Sequence, residues 1–302
     1  MKILNFFRSS PAAESKELAA FLSGFSIEVM PKTLAKIDDF AGLLPKGTRV
    51  YVAHIEGTPI DDMVATTRRL TEDGFNAMPH VPARWIDSRA TLDTWVRRYA
   101  EEGGARQALV LAGGARKVTG DFDSSMSLLE TGLFDKYGFD RLHVAGHPEG
   151  NREIDTDDSN RIVDDAVRWK QDFADRTDAK MAMVTQFVFD AKPVIEWEQR
   201  LRKAGIRLPV HVGVAGPAKL QTLLKFAVAC GVGPSYAVLQ KRAKDVTKLV
   251  KPFEPSDVLA QIAEYRARTP DTLVESAHIF PLGGIRQASE YARGMTSPEA
   301  KA

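Results

Sequence analysis

The chain has 302 residues, and its 41 Lys and Arg nearly balance its 40 Asp and Glu, for a formal net charge of +1. This near-neutral balance gives no global field that would attract nucleic acid or an anionic membrane, so a small ligand is the expected partner. The lone Cys230 excludes a disulfide framework and is typical of a reducing compartment. The sequence shows no secretory signal and no run of about 18 apolar residues, which predicts a cytoplasmic protein without a membrane span.

Short runs rich in apolar and β-branched residues recur along the chain. Several show no polar alternation, as is typical of parallel strands that are covered on both faces. The runs predict eight strands, at 25–30, 49–54, 75–80, 107–113, 142–147, 182–189, 209–214 and 272–280.

Amphipathic helix patterns lie between these runs. Thr58 as the cap and Pro59 as the first helical residue predict a helix that ends before Gly74. A second pattern runs over 87–104 and ends on two glycines. A third, at 155–176, places five apolar residues on one stripe: Ile162, Val163, Ala166, Val167 and Phe173.

Alternating strands and helices over this length favour a (β/α)8 TIM barrel of the α/β class. Length alone also allows two modest domains. An open doubly wound sheet would normally carry a Gly-x-Gly-x-x-Gly or P-loop motif after its first strand, and neither is present. We therefore predict one barrel domain over 1–302, with an extra helical segment around 231–271.

Reactive side chains in such barrels stand at the carboxyl ends of the strands. Glu28 lies in an apolar strand, where an unpaired carboxylate is costly, so a functional role is favoured over a helix-start role. His54 is interpreted as a core histidine. The sequence lacks a metal-binding His pair on one strand or a His-Glu-x-x-His motif, so no metal site is predicted. The predicted strand ends hold Glu28, His54, His80, 112–115, His147, Glu149, Gln186, 213–217 and His278.

Two features of the sequence each allow two interpretations. The glycines after the fourth strand form a plain turn or admit a flat ligand close to the backbone. A basic cluster is a solvated helix face or a dock for an anionic substrate tail. The cluster consists of Lys241, Arg242, Lys244, Lys248 and Lys251.

Ordered motifs from about residue 24 to 285 resemble the methylenetetrahydrofolate reductase family. "VAGHPEGNRE" resembles that family's "YPExHPE", and "FSIEVMPK" resembles "SFEFFPP", with Glu28 on the catalytic glutamate. "NAMPH" resembles the flavin-site segment that ends in "PH", "VTQFVFD" resembles "ITQFFFD", and "PVHVGVAGP" resembles "PIIPGIMP". The family's "LRGD" is "LAGG" here, so Ala112 and Gly114 replace an arginine and the aspartate that holds the pterin ring. The family's "HFYTLNR" is "HIFPLGG", and the tyrosine of "YPE" is His147.

The resemblance implies flavin-mediated interconversion of 5,10-methylenetetrahydrofolate and 5-methyltetrahydrofolate, with Glu28 as the acid. It implies that Gln186, Phe187 and His278 bind the substrate, a tetrahydrofolate derivative in mono- or polyglutamylated form. It also implies FAD as the cofactor and NADH or NADPH as the electron donor. The implied cofactor-binding residues are His80, Ala112, Gly113, Gly114, His147, Glu149, Asn151 and Lys170.

Three alternatives to that reaction stay open at the level of the sequence. The altered "LAGG" segment allows the reaction to run as oxidation of the methyl form. A second enzymatic alternative is direct hydride transfer from NADH or NADPH, without flavin. The third is a non-catalytic folate-binding subunit, which the presence of both Glu28 and Gln186 disfavours. Either a monomer or a homo-oligomer fits the sequence.

Overall fold

A computed structural model describes residues 11–115, 117–157, 159–229, 239–240 and 252–296. It contains the eight strands that the apolar runs predict, each boundary within two residues of its predicted position. The strands, β1 to β8 in chain order, span Ser26–Val29, Arg49–Val52, Asn76–Pro82, Gln107–Leu111, Arg141–Gly146, Lys180–Val188, Val210–Ala215 and Val274–Phe280.

The strands form a closed parallel barrel in sequence order, and β8 pairs with β1 to complete it. The prediction of a (β/α)8 barrel is confirmed. Closure places all carboxyl ends of the strands at one mouth, so residues far apart in the chain meet there.

Helices alternate with the strands and cover the outside of the barrel. Two short 3₁₀ turns, Ala41–Leu43 and Ala83–Trp85, follow the helix at Pro31–Leu34 and strand β3. The helices that the structure describes, α1 to α11, span Pro11–Leu22, Pro31–Leu34, Ile60–Glu72, Arg89–Glu101, Ser125–Leu129, Leu133–Lys136, Arg161–Ala174, Ala191–Lys203, Leu220–Ala229, Ser256–Arg268 and Ile285–Thr296.

Two details of the helix predictions were wrong. Helix α3 begins at Ile60, so Pro59 rather than Thr58 occupies the cap position. Ile162 is 45% exposed, because it lies beside the buried stripe of α7 and not on it, whereas Val163 and Val167 are buried. Ser88 caps α4, accepting a hydrogen bond from the Thr91 amide.

The main hydrophobic core lies between the strands and the surrounding helices. It takes the outward-facing residues of each strand, such as Ile27, Val50, Val110 and Val144. The barrel interior is different, because tyrosine and histidine side chains share it with a small apolar cluster. The usual filling of such an interior is branched aliphatic residues, so this polar content calls for a specific explanation.

The predicted extra helical segment is only partly covered by the structure. Within 231–271, helix α10 packs against α1 and α8. Cys230 and the basic cluster of Lys241 to Lys251 lie outside the described residues.

Candidate functional site

Glu28 stands at the carboxyl end of β1, facing the barrel mouth. Its Oε2 lies 3.4 Å from Nε2 of His80, which comes from β3, and the two side chains are 20% and 11% exposed. Burial raises the pKa of Glu28 to about 7 and lowers the pKa of His80 to about 3. Near neutral pH the pair therefore combines a carboxyl group that titrates with an imidazole that stays neutral.

A polar layer lies directly below this pair. Tyr51 is the register partner of Glu28 on β2, and its hydroxyl lies 2.5 Å from Nδ1 of His143. Ser26 Oγ lies 2.9 Å from Nδ1 of His278. The sequence motifs do not include Ser26, Tyr51 or His143. Ser26 shares the strand face of Glu28 at a spacing of two, whereas strand register brings Tyr51 and His143 into the layer, and no local pattern gives that register.

Two predicted substrate residues lie away from the open mouth. His278 is 1% exposed and sits within the polar layer, with its ring centroid 4.4 Å from that of Tyr51. Phe187 is 1% exposed and packs against Phe189 and Phe280 in a second hydrophobic cluster. Both residues therefore shape the site from behind other side chains.

Gln186 is exposed at the end of β6, and an irregularity in the strand pairing places it there. The register between β6 and β7 shifts between Val184 and Phe187, which is the effect of a β-bulge. Thr185 Oγ holds the bulge, donating to the Gln186 carbonyl and accepting from the Gly213 amide at 2.9 Å. An added Cβ on Gly213 would lie 2.4 Å from the Thr185 carbonyl oxygen, so glycine is required.

The segment after β4 exposes its backbone at the mouth. Gly113 has φ +88°, and an added Cβ would lie 2.9 Å from Cβ of Pro82. Gly114 is exposed, and an added Cβ there would meet no atom within 4 Å, while Ala112 is half-buried. The segment is thus both a constrained turn and an open strip of backbone, and the two interpretations of its glycines are compatible.

The stretch from His147 to Glu153, which follows β5, turns at the rim of the mouth. After β5, the Gly150 amide donates to the His147 carbonyl, and Asn151 Oδ1 accepts from the Glu153 amide. His147, Glu149 and Asn151 are all half-buried. The polar residues of this stretch therefore serve partly to hold the turn that carries them.

Lys170 reaches this rim from α7. It is 4% exposed, its Nζ donates to the Ala145 carbonyl at 2.8 Å, and burial lowers its pKa to about 8. Burial and the nearby Lys170 lower the pKa of His147 to about 4. His147 is therefore neutral at physiological pH, and the positive charge beside it is Lys170.

An aromatic wall flanks the mouth at the ends of β2 and β3. His54 lies between Trp85 and Trp95, with ring centroids 5.3 and 5.1 Å away, and its Nε2 lies 3.1 Å from the Thr58 carbonyl. Among the described residues, the buried His54 Nδ1 and Trp85 Nε1 have no hydrogen-bond partner. Such atoms are costly unless a ligand or solvent satisfies them.

A basic groove of about 710 Å³ adjoins the corner between β1 and β8. Met30 lies on one side of it, and Lys32, Lys36 and Arg286 contribute three positive charges against the carboxylate of Glu290. In the part of the chain that the structure describes, none of the three cations has an ion-pair or hydrogen-bond partner through its side chain. The groove therefore offers free positive charge close to the strand that carries Glu28.

Two features are absent from the residues that the structure describes. No group of three or more His, Cys, Asp or Glu side chains has a geometry that would hold a metal ion. No described helix combines the length and the apolar character needed to cross a membrane.

No family model matches the sequence. Among solved structures, the chain is similar to an uncharacterized protein from Clostridium thermocellum that binds two copies of 5-methyl-5,6,7,8-tetrahydrofolic acid. The TM-score is 0.58 at 13% identity, covering 91% of this chain and 97% of that one. A variant of actinorhodin polyketide ketoreductase with NADPH gives a TM-score of 0.27 at 15% identity, covering 88% and 99%. The first similarity shows a shared fold, whereas the second is too weak to show one. This chain thus shares its barrel fold with a protein that binds a folate.

Proposed function

We propose that the protein is an oxidoreductase that interconverts 5,10-methylenetetrahydrofolate and 5-methyltetrahydrofolate. The observation that carries the proposal is the position of Glu28, a mouth-facing acid whose pKa of about 7 lets it exchange a proton at neutral pH. The shared fold with a protein that binds methyltetrahydrofolate supports a folate as the ligand.

Glu28 has a defined task in this reaction. The methylene bridge of the substrate joins two nitrogens, and one C–N bond must open before the carbon accepts a hydride. Protonation of the leaving nitrogen assists that step, and a carboxyl group with a pKa near the working pH is suited to it. In the reverse direction the Glu28 carboxylate accepts the same proton. His80, neutral and 3.4 Å away, adds no charge beside the carboxyl group, and its Nε2 has no hydrogen-bond partner among the described residues.

The residues around the mouth fit a flavin. The exposed backbone at Gly114 allows a flat ring to approach, and the unsatisfied Trp85 Nε1 and His54 Nδ1 offer polar contacts in the adjoining wall. His80, Ala112, Gly113, His147 and Lys170 complete the set that would hold it. A bound FAD would supply the hydride-transfer chemistry, whereas the protein supplies position and the proton.

Other parts of the mouth suit the two ends of a folate. Gln186 presents an amide that both donates and accepts hydrogen bonds, as recognition of a pterin ring requires. The basic groove of Lys32, Lys36 and Arg286 suits the carboxylates of the glutamyl end. Gly114 stands where the methylenetetrahydrofolate reductase family, which the chain resembles, has a pterin-binding aspartate. The absence of that aspartate favours oxidation of the methyl form as the working direction.

The test is Glu28→Gln, followed by stopped-flow spectroscopy of the protein loaded with FAD. The substitution keeps the side-chain volume but removes the exchangeable proton, so folate turnover should fall about 10²–10⁴-fold. Reduction of the flavin by NADH or NADPH should be nearly unchanged, because that step needs no ring-opening proton. The control is Glu72→Gln, which removes an exposed carboxylate at the end of α3, on the outside of the barrel.

Each of the other outcomes would point to a different function for the protein. Near wild-type folate turnover in Glu28→Gln would remove Glu28 from the mechanism. Turnover with a nicotinamide but without flavin binding would establish the flavin-free reductase. Tight folate binding with no turnover under any donor would establish a non-catalytic folate-binding subunit.

A further inference from the structure

The amino ends of the strands form a second opening, opposite the mouth that carries Glu28. Arg49 begins β2 and reaches across this opening, where its Nε donates to Oε1 of Gln107 at 2.8 Å. Gln107 is the register partner of Arg141, the first residue of β5. Arg49 shares the strand face of Tyr51, and Arg141 shares that of His143, so both arginines belong to the inward-facing set.

In the cluster around Arg49, inside this opening, the positive charge exceeds the negative charge. The carboxylate that enters the cluster is Glu275, whose Oε2 lies 2.8 Å from Nε2 of His211. Burial lowers the pKa of His211, so the imidazole is neutral and adds no charge. Two guanidinium groups therefore face one carboxylate inside the opening, while at its rim Lys180, the register partner of Arg141, lies beside Asp140.

Most hydrogen-bond donors of the two arginines are unused. A guanidinium carries five N–H groups, and Arg49 uses one of them for Gln107. Across the residues that the structure describes, neither Arg49 nor Arg141 forms an ion pair within 4.0 Å, and the Arg141 side chain has no hydrogen-bond partner. Burial, with the like charge of Arg141 adding to it, lowers the pKa of Arg49. The cluster therefore holds two like charges together, with Glu275 in electrostatic range of both arginines but in an ion pair with neither.

We propose that Arg49 and Arg141 form a binding site for a small oxyanion at the amino end of the barrel. Its ligand carries a phosphate or a carboxylate pair, the groups that guanidinium forks bind in bidentate geometry. The Gln107 amide oxygen fixes Arg49 by accepting from its Nε. The site differs from the proposed folate site: Arg49 lies two residues before Tyr51, the register partner of Glu28, and the buried pair of Tyr51 and His143 lies between the two sites.

The experiment uses the full chain and two probes, inorganic phosphate and malonate, at constant ionic strength. Isothermal titration calorimetry measures affinity, and the NMR signals of the His211 ring report binding locally, because His211 lies in electrostatic range of both arginines. We expect saturable binding of at least one probe, which also identifies whether phosphate or carboxylate is preferred. Arg141→Gln should weaken binding about tenfold to a hundredfold.

Three further variants make the result specific. Arg141→Lys keeps the charge but loses the fork and should bind with intermediate affinity, while Arg49→Gln should weaken binding as Arg141→Gln does. Arg200→Gln removes an exposed arginine on α8 and should bind like the wild type. Circular dichroism checks that each variant is folded. The proposal is overturned if neither probe binds the wild type, or if Arg141→Gln and Arg49→Gln bind as tightly as Arg200→Gln.

Discussion

At the scale of single residues, one physical cause gives Glu28 and His80 opposite properties. Burial disfavours charge, so it raises the pKa of the acid to about 7 and lowers that of the base to about 3. An exposed Glu–His pair would hold a carboxylate and, below its usual pKa of 6.5, an imidazolium. In the barrel mouth, below a pH of about 7, the proton is on Glu28 and His80 is neutral, so the pair carries no net charge.

This inversion predicts the pH dependence of the proposed reaction. Reduction of the methylene form needs protonated Glu28, so its rate should fall as pH rises through about 7. Oxidation of the methyl form needs the carboxylate, so its rate should rise over the same range. Single-turnover rates in each direction across this range check the prediction, with Glu28→Gln as the control that should lose the transition. Parallel profiles in the two directions would show that another group titrates.

At the scale of secondary-structure elements, local sequence determines the strands but not their inward geometry. The apolar runs predict all eight strands because each run is bounded by turn residues and covered on both faces. The bulge that exposes Gln186 depends on a register shift against β7, which no local pattern encodes. The partnership of Tyr51 with His143 likewise joins two strands that are not neighbours in the barrel. Candidate residues at strand ends were therefore predictable, and the layer beneath them was not.

The same element scale predicts a contrast between two glycine substitutions. In Gly213→Ala, the new Cβ would lie 2.4 and 2.6 Å from the backbone oxygens of Thr185 and Gln186. We expect a loss of about 1–3 kcal/mol in unfolding free energy, together with weaker folate binding as the bulge moves. Gly294→Ala lies in helix α11 with no atom near the new Cβ, and it should stabilise the protein by about 0.5–1 kcal/mol. Urea unfolding and folate titration compare the two variants. If Gly213→Ala keeps the wild-type stability and folate affinity, the bulge does not shape the folate site.

At the scale of the whole molecule, the barrel has a polar axis inside an apolar shell. His80 lies at one end of the axis and His211 at the other, with Tyr51, His143 and His278 between them. Burial lowers the pKa of all four histidines, so folding keeps them neutral. An interior of this kind links the stability of the fold to the protonation state of its core.

Acid sensitivity of the whole fold follows from that linkage. A histidine whose folded pKa lies well below its unfolded value of 6.5 binds its proton mainly in the unfolded state as pH falls. Each such histidine should remove about 1.4 kcal/mol of stability per pH unit below 6.5. Glu28 acts in the opposite sense, because its pKa rises from 4.5 to about 7 on folding, and its contribution is lost as pH rises between those values.

The buried histidines outnumber Glu28, so we expect net stability to fall as pH drops from 6.5 toward 4.5. Chemical denaturation at a series of pH values measures the slope. His143→Gln should flatten it, because one neutral buried imidazole is removed. Glu28→Gln should steepen it, because the opposing contribution is lost. If both variants keep the wild-type slope, the acid sensitivity resides in surface carboxylates and the polar axis does not control it.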